Sequence, residues 1–381
     1  MFNRSFAAFR LLGYDIKIDP SWFFIAFLMV WSLSTGYFPS TLPDASSTQI
    51  FALSVIAMLG LFGSLILHEL SHSLVARRCG VHIKGITLFI FGGVAELENE
   101  PPTPGAEFWI ALAGPAASLA LAIFFGAALS VSRFLGLPDL LLALLGYMTL
   151  ANLILGVFNL LPAFPMDGGR VMRAVLWKCM GSQLKATERA TAIGSVLAYL
   201  LIGLGLVDVA LTGQFGSLWI VIIGFFILAS GKGAYEQMRM HKVLAGKTTR
   251  QFMTPRVVMI MPDETLAELV DRYILGKRVS FLPVVDQGEL LGYVDIDIVR
   301  SIDPEFWPQT LVGDVYVAAG PDNTVSPDDS AESVLQRLLQ DGRRKFLVAS
   351  GTHLQGVITL ADLVSYLNLV QSVGTGSVKA A

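Results

Sequence analysis

The chain has 381 residues, of which 54% are hydrophobic and 15% charged, and its mean hydropathy is +0.62. Soluble globular proteins carry about 25% charged residues, so this composition excludes an ordinary soluble enzyme and indicates a large membrane-embedded part. The net charge of −3 says little, but the basic residues are scattered rather than gathered in a patch with aromatics, which excludes a nucleic-acid partner.

The first residues carry Arg4, Arg10 and Lys17 and lead into an apolar run from Trp22 to Tyr37. No small-residue cleavage site follows and further apolar runs do, so the run reads as a retained first transmembrane helix, not a signal peptide. A second span runs from Phe51 to about Val75 and carries His68-Glu69-Leu70-Ser71-His72 towards its C-terminal end. Val81 to Leu97 differs in kind. It is rich in β-branched and aromatic residues, contains Gly92-Gly93 and is too short to span, which predicts a membrane-associated strand or hairpin.

After Pro101-Pro102-Thr103-Pro104 comes a third span, Phe108 to Ser130, in which Gly114 and Ser118 are spaced as a small-x-x-x-small packing face, with ordinary small residues of a span as the equal alternative. The fourth, Leu140 to Leu161, ends in a run from Asn159 through Pro162 and Pro165 to Met166-Asp167-Gly168-Gly169. Two prolines and two glycines there predict that Asp167 is presented on irregular backbone. Thr191 to Leu211 and Leu218 to about Ser230 complete six spans. The segments Met1–Lys17, Ala76–Glu107 and Pro162–Ala190 hold 3, 3 and 5 Lys plus Arg, whereas the intervening loops hold Arg133 alone. This bias predicts an integral protein of the plasma membrane with both termini cytoplasmic and the histidine motif near the cytoplasmic side.

From Thr248 onward the composition is that of a soluble domain, and two similar units of roughly 60 residues follow one another. Each reads β-α-β-β-α. The first contains Phe281 to Asp286 and Gly292-Tyr293-Val294; the second contains Lys345 to Ala349 and Gly356 to Asp362. The expected division is a membrane domain at 1–240 and repeat units at 248–305 and 309–371. The fold class expected is therefore a polytopic α-helical membrane protein with a membrane-associated β-hairpin, joined to an α+β tandem repeat.

Chemistry concentrates in the pentapeptide. On a helix His68 and His72 fall one turn apart on the same face, so both imidazoles can ligate one Zn²⁺, with Glu69 beside them as general base. Ionisable side chains at the end of a spanning segment point by default to function. A hydrolytic zinc site needs a third protein ligand and an open position, and Asp167 is the best candidate because its loop ends a neighbouring span. Asn159, eight residues earlier at the same helix end, could donate to a tetrahedral oxyanion, or simply hydrogen-bond at the helix terminus. Cys79 and Cys179 form no C-x-x-C and read as small fillers near helix ends. His82, His241 and His353 lie outside the apolar spans and read as surface or loop residues.

His68 to His72, Phe91-Gly92-Gly93-Val94-Ala95, Gly114-Pro115 and the run from Asn159 to Gly169 together resemble the site-2 protease family of intramembrane zinc metalloproteases. The resemblance covers about Tyr14 to Ala234 and departs from the family only in Met166, where Leu is usual. It implies His68, His72 and Asp167 as zinc ligands, Glu69 as catalytic base and Asn159 as a substrate or oxyanion contact. It also implies that Gly92, Gly93 and Val94 offer an edge strand to the unwound transmembrane segment of a single-span regulatory protein. The C-terminal repeat resembles a tandem pair of CBS domains, in which Gly356, Thr359 and Asp362 match a G-x-x-T-x-x-D run that contacts ATP or AMP. The first unit has Asp295 and Ile298 at the Thr and Asp positions, and capping of the following helix is an equal alternative role for Thr359 and Asp362. Regulation of proteolysis by nucleotide is the resulting expectation, with a homodimer through the CBS domains as an option. The competing readings are a CBS-regulated channel or transporter and a catalytically inactive homologue.

Overall fold

A computed structural model describes residues 5–81, 83–89, 92–97, 101–213 and 215–376. Arg4, His82 and Phe91, named above, lie outside them. The chain divides into two compact units, Met1–Met238 and Arg239–Ala381.

Among the described residues six helices are long and apolar enough to cross a membrane, as expected: α1 (Ser21–Thr41), α2 (Ser47–Arg78), α3 (Pro104–Phe134), α4 (Asp139–Asn159), α6 (Gln183–Thr212) and α7 (Leu218–Leu244), with α5 (Asp167–Met180) between the fourth and fifth spans. Local chemistry sets where they begin. Ser46 caps α2 through a reciprocal pair with Gln49, the Gln49 N–H donating to Ser46 Oγ at 3.3 Å and the Ser46 N–H to Gln49 Oε1 at 2.9 Å. Thr103 caps α3 and Pro104 fills its first position, where no N–H is needed. Helix α7 continues well past Ser230, because Ala234 to Leu244 loses its apolar character but remains rich in good helix formers.

A four-stranded sheet packs on α2. Its order is β1 (Phe6–Leu11), β2 (Tyr14–Ile18), β3 (Ile83–Phe89), β4 (Gly92–Leu97), with β2 and β3 parallel and the other pairs antiparallel. The expected hairpin is thus β3–β4, while β1–β2 is a second hairpin formed by the basic stretch ahead of the first span. Alternation supplies the reason: Tyr14 and Ile16 point with Ile86 and Leu88 to one face, which is buried against Leu70 of α2. Full burial of each such side chain stabilises by about 1.5–3 kcal/mol. Tyr14 also donates from its hydroxyl to the Ser73 carbonyl at 3.1 Å, so the sheet is registered against the helix that carries the histidine motif.

In the second unit the repeat is visible as two antiparallel hairpins, β5 (Phe281–Asp286) with β6 (Glu289–Asp295), and β9 (Lys345–Ser350) with β10 (His353–Thr359). Both carry one extra residue at the equivalent place, Leu291 before Gly292 and Gln355 before Gly356. Short strands β7 (Val317–Ala318) and β8 (Thr324–Val325) extend the two sheets. Helix α8 (Ile296–Arg300) closes the first repeat, and α9 (Ala331–Gln340) and α10 (Leu360–Gly376) flank the second hairpin. Val334, Leu335 and Leu338 of α9 pack with Phe346, Val348 and Ile358, and the core includes Leu244, which belongs to this second unit. Leu338→Ala is expected to weaken this core by about 2–5 kcal/mol. Hydrogen exchange should register that as faster exchange of the β9 amides with no change in α3.

Candidate metal centre and its surroundings

His68 and His72 lie in the last third of α2 and are both buried. Their ring centroids are 4.9 Å apart, the separation that one helical turn imposes. Asp167 is the first residue of α5, so the irregular backbone predicted for it ends just before it: the chain from Leu160 to Met166 is non-helical and Asp167 opens a helix. Its Oδ2 is 3.2 Å from His68 Nε2 and 3.1 Å from His72 Nε2, and the two Nε2 atoms are 3.2 Å apart.

The outer nitrogen of each ring is held by α3. His72 Nδ1 is 2.6 Å from the Ile110 carbonyl, which can only accept, so Nδ1 carries the proton and Nε2 presents a lone pair. His68 Nδ1 is 2.9 Å from Ser118 Oγ, an arrangement that leaves its Nε2 lone pair facing inward once Nδ1 donates to the hydroxyl. Three lone-pair donors, two imidazole nitrogens and a carboxylate oxygen, therefore converge where only a cation relieves their mutual repulsion. Ligands at 2.0–2.1 Å on a tetrahedral Zn²⁺ stand roughly 3.3 Å from each other, and the observed triangle has edges of 3.1, 3.2 and 3.2 Å. The donor set and its spacing fit zinc, with one coordination position left for water or substrate.

Gly114 is the close approach that makes this possible. A Cβ at that position would overlap the His68 and His72 rings, so α3 can pass the imidazoles only without a side chain there. Gly114 and Ser118, read as a helix-packing face, are thus packed on the two imidazole rings themselves. Pro115 has no N–H to donate back to Ala111 and loosens the turn before it, the turn from which the Ile110 carbonyl meets His72. Spacing pointed to Gly114 and Ser118; the contribution of Ile110, a backbone carbonyl, leaves no mark in the sequence.

Glu69 lies on the side of α2 that faces β4. A Cβ on Gly93 would stand 2.6 Å from Glu69 Cγ and 3.2 Å from Oε1, so Gly93 lets the strand run directly past the carboxylate. β4 pairs with β3 and ends the sheet order, which makes it an edge strand among the described residues. Asn159, the last residue of α4, donates Nδ2 to the Leu155 carbonyl one turn back at 2.9 Å. This is the helix-terminus bond weighed against an oxyanion contact, although an amide has a second N–H.

In the second unit Thr359 and Asp362 form a reciprocal cap on α10, with Asp362 Oδ2 accepting from the Thr359 N–H at 2.9 Å and Oγ1 at 2.7 Å. Gly356 admits the Thr254 backbone, whose N–H donates to the Val357 carbonyl at 2.8 Å. In the first repeat Asp295 accepts from the Asp297 and Ile298 N–H groups at 3.1 and 3.0 Å, so the residue that departs from the Thr pattern caps the helix unaided. His241 Nδ1, near the end of α7, lies 2.7 Å from Glu332 Oε1, and His353 is exposed, as expected of surface or loop residues. Cys179 is exposed rather than a filler.

Residues 56–140 and 137–203 match Peptidase family M50, and residues 250–303 and 312–369 match the CBS domain. Rip3 of Mycobacterium tuberculosis, a protein assigned as a zinc metalloprotease, is 34% identical over 94% of this chain and 92% of its own length. The zinc metalloprotease MJ0392 of Methanocaldococcus jannaschii is 29% identical over 97% of this chain and 98% of its own. Among solved structures, the site-2 protease from Methanocaldococcus jannaschii is 31% identical, covering 60% of this chain and 94% of that one, with a TM-score of 0.40.

Six apolar helices and a two-histidine, one-carboxylate centre define a membrane metalloprotease. The chain belongs to peptidase family M50, the site-2 protease type of zinc metalloprotease, and carries a tandem CBS pair. These matches run through the membrane unit and so decide against the channel or transporter alternative.

Gly114→Ala tests the packing argument. Alanine is the better helix former, so α3 should persist, while bound zinc in the purified protein, measured by atomic absorption, should fall at least about tenfold, as for loss of support around a metal ligand.

Proposed function

We propose that the protein is an intramembrane endopeptidase that cuts the transmembrane segments of single-span regulatory proteins, with His68, His72 and Asp167 holding Zn²⁺. The observation that carries this reading is the convergence of three lone-pair donors within 4.8 Å of one another on α2 and α5. Zinc bound there supplies Lewis acidity, acidifying a water and polarising the scissile carbonyl. Glu69, next to His68, takes the proton of the attacking water and passes it to the leaving amine. The second N–H of Asn159 is the donor offered to the developing oxyanion, at the end of the helix that leads into the Asp167 loop.

Gly92, Gly93 and Val94 on the edge strand β4 receive the substrate as an added strand, which brings extended backbone past Glu69. The proposed protease domain is 1–240, with both termini and the active site on the cytoplasmic side, supported by the Lys and Arg bias of the loops. CBS units at 248–305 and 309–371 bind ATP or AMP through Gly356, Thr359 and Asp362, modulate cleavage and supply a homodimer contact. The match of residues 250–303 and 312–369 to CBS domains supports that assignment.

Glu69→Gln in purified protein should reduce cleavage of a membrane-spanning substrate by at least about 10²-fold while one zinc per chain is retained. Undiminished cleavage removes Glu69 as the base, and a wild type without cleavage or zinc favours the inactive-homologue reading. For the CBS pair, titration calorimetry with ATP and AMP should show heat in the wild type that disappears in Asp362→Ala. No heat with either nucleotide removes the regulatory ligand.

A further inference from the structure

The histidines are positioned by their own helix and by α3, but Asp167 arrives on a separate helix, and something must set α5 against the other two. One pair of charged side chains links α5 to α3. Glu107, in the first turn of α3, is fully buried, and Arg173 on α5 donates Nε to its Oε1 at 2.6 Å and brings Nη2 to the same oxygen.

Glu107, Ile110, Gly114 and Ser118 follow one another at intervals of three and four residues, so they form a single stripe along α3. Three of the four hold or admit the imidazoles; Glu107 extends the same stripe by one turn and holds α5. The Arg173 guanidinium also lies over the Phe164 ring, 5.4 Å from its centroid. Phe164 is buried in the segment that leads into Asp167. One guanidinium therefore braces both the helix that follows Asp167 and the loop that precedes it, and anchors them to the helix that holds the imidazoles. Glu107 Oε2 has no hydrogen-bond partner among the described residues, so the carboxylate's hold on the fold runs through Oε1 and Arg173.

We propose that Glu107 and Arg173 are positioning residues for the metal centre, which act by fixing Asp167 at the distance from the imidazoles that a third ligand requires. This rests on the reading that His68, His72 and Asp167 hold zinc. A structural staple remote from the site would be expected to use surfaces away from the ligand-bearing stripe; this pair sits on it. A buried charge pair also has a specificity that apolar packing lacks, because two guanidinium nitrogens, Nε and Nη2, converge on the one carboxylate oxygen, which a single ammonium nitrogen cannot reproduce.

The test uses full-length protein in detergent and reads zinc affinity by competition with a chromogenic chelator. Glu107→Gln should bind zinc about 10–100-fold more weakly, the range for groups that orient metal ligands, and should shift the visible bands of the Co²⁺-substituted protein. In an Asp167→Asn background the same substitution should change affinity less than about twofold, because coupled residues are not additive. Arg173→Lys keeps the charge and loses the fork, and carries the same expectation should Glu107→Gln fail to fold.

Wild-type affinity and an unchanged cobalt spectrum in a folded Glu107→Gln protein would overturn the proposal. So would an equal loss with and without the Asp167 carboxylate, or failure of both variants to fold. If wild type and His68→Ala alike bind no zinc, the metal reading itself falls and this proposal with it. Zinc binding by wild type with an indifferent Glu107→Gln removes this proposal alone.

Discussion

Two imidazoles one helical turn apart present lone pairs to a common point only if the other nitrogen of each ring is committed elsewhere. In this protein both commitments are made to one helix: the Ile110 carbonyl accepts a hydrogen bond from His72 Nδ1–H, and Ser118 engages His68. In an apolar interior, a polar atom without a partner is costly by several kcal/mol, so these two bonds do more than orient the rings. They satisfy the outer ring N–H groups and leave the inward nitrogens facing Asp167. The absence of a side chain at Gly114 and the interruption of the helix ladder at Pro115 follow from the same need, since α3 must bring a backbone carbonyl and a hydroxyl within reach of rings on a neighbouring helix.

The remainder of the first unit can be ordered by its distance from that contact. The sheet matters because Ile16, Ile86 and Leu88 bury themselves on Leu70, two residues from both His68 and His72, and so immobilise the helix on the side opposite α3. The loop before Asp167 matters because Ala163 and Met166 are buried with Ala198 of α6 and Ile227 of α7, which turns the last two spans into a backing for Asp167. A carboxylate delivered at the first residue of a helix also lies at the favourable end of the helix dipole. Asp167 is thus electrostatically supported from behind while it faces the imidazoles.

Much of this was legible in the sequence, and the parts that were not share a cause. The i, i+4 histidines are a local pattern, and Asp167 stands out because prolines and glycines surround it. The same glycines misled about its backbone: Gly168 and Gly169 are inside α5, where a Cβ would strike the backbone of Leu160, Leu161 and Ala163, so they serve close packing and not a turn. Gly114 and Ser118 were readable as small residues on a packing face, but sequence spacing does not tell what the opposing surface is. The pairing of β2 with β3 has no local mark because the two strands lie about 70 residues apart, and loop closure over that distance has no local signature; β1 joins the sheet only through β2. The capping pair Thr359–Asp362 was readable in either of two roles, because a hydroxyl and a carboxylate three residues apart suit a helix start as well as a phosphate.

The proposed substrate makes the placement of β4 the most consequential feature outside the metal centre. A transmembrane helix satisfies its backbone internally, and hydrolysis requires that one stretch of it be unwound. In a dry setting each amide so exposed costs several kcal/mol unless it finds a partner at once. An edge strand provides such partners in a row, and Gly93 lets that row pass against Glu69 without an intervening side chain. On this reading, unwinding and recognition are one event: the backbone bonds that the substrate helix gives up are replaced, residue for residue, by bonds to β4. Selectivity would then follow from how readily a given segment leaves the helical state. Segments with glycine or β-branched residues near the cut would be favoured over a run of leucine or alanine, because their helices are the weaker ones.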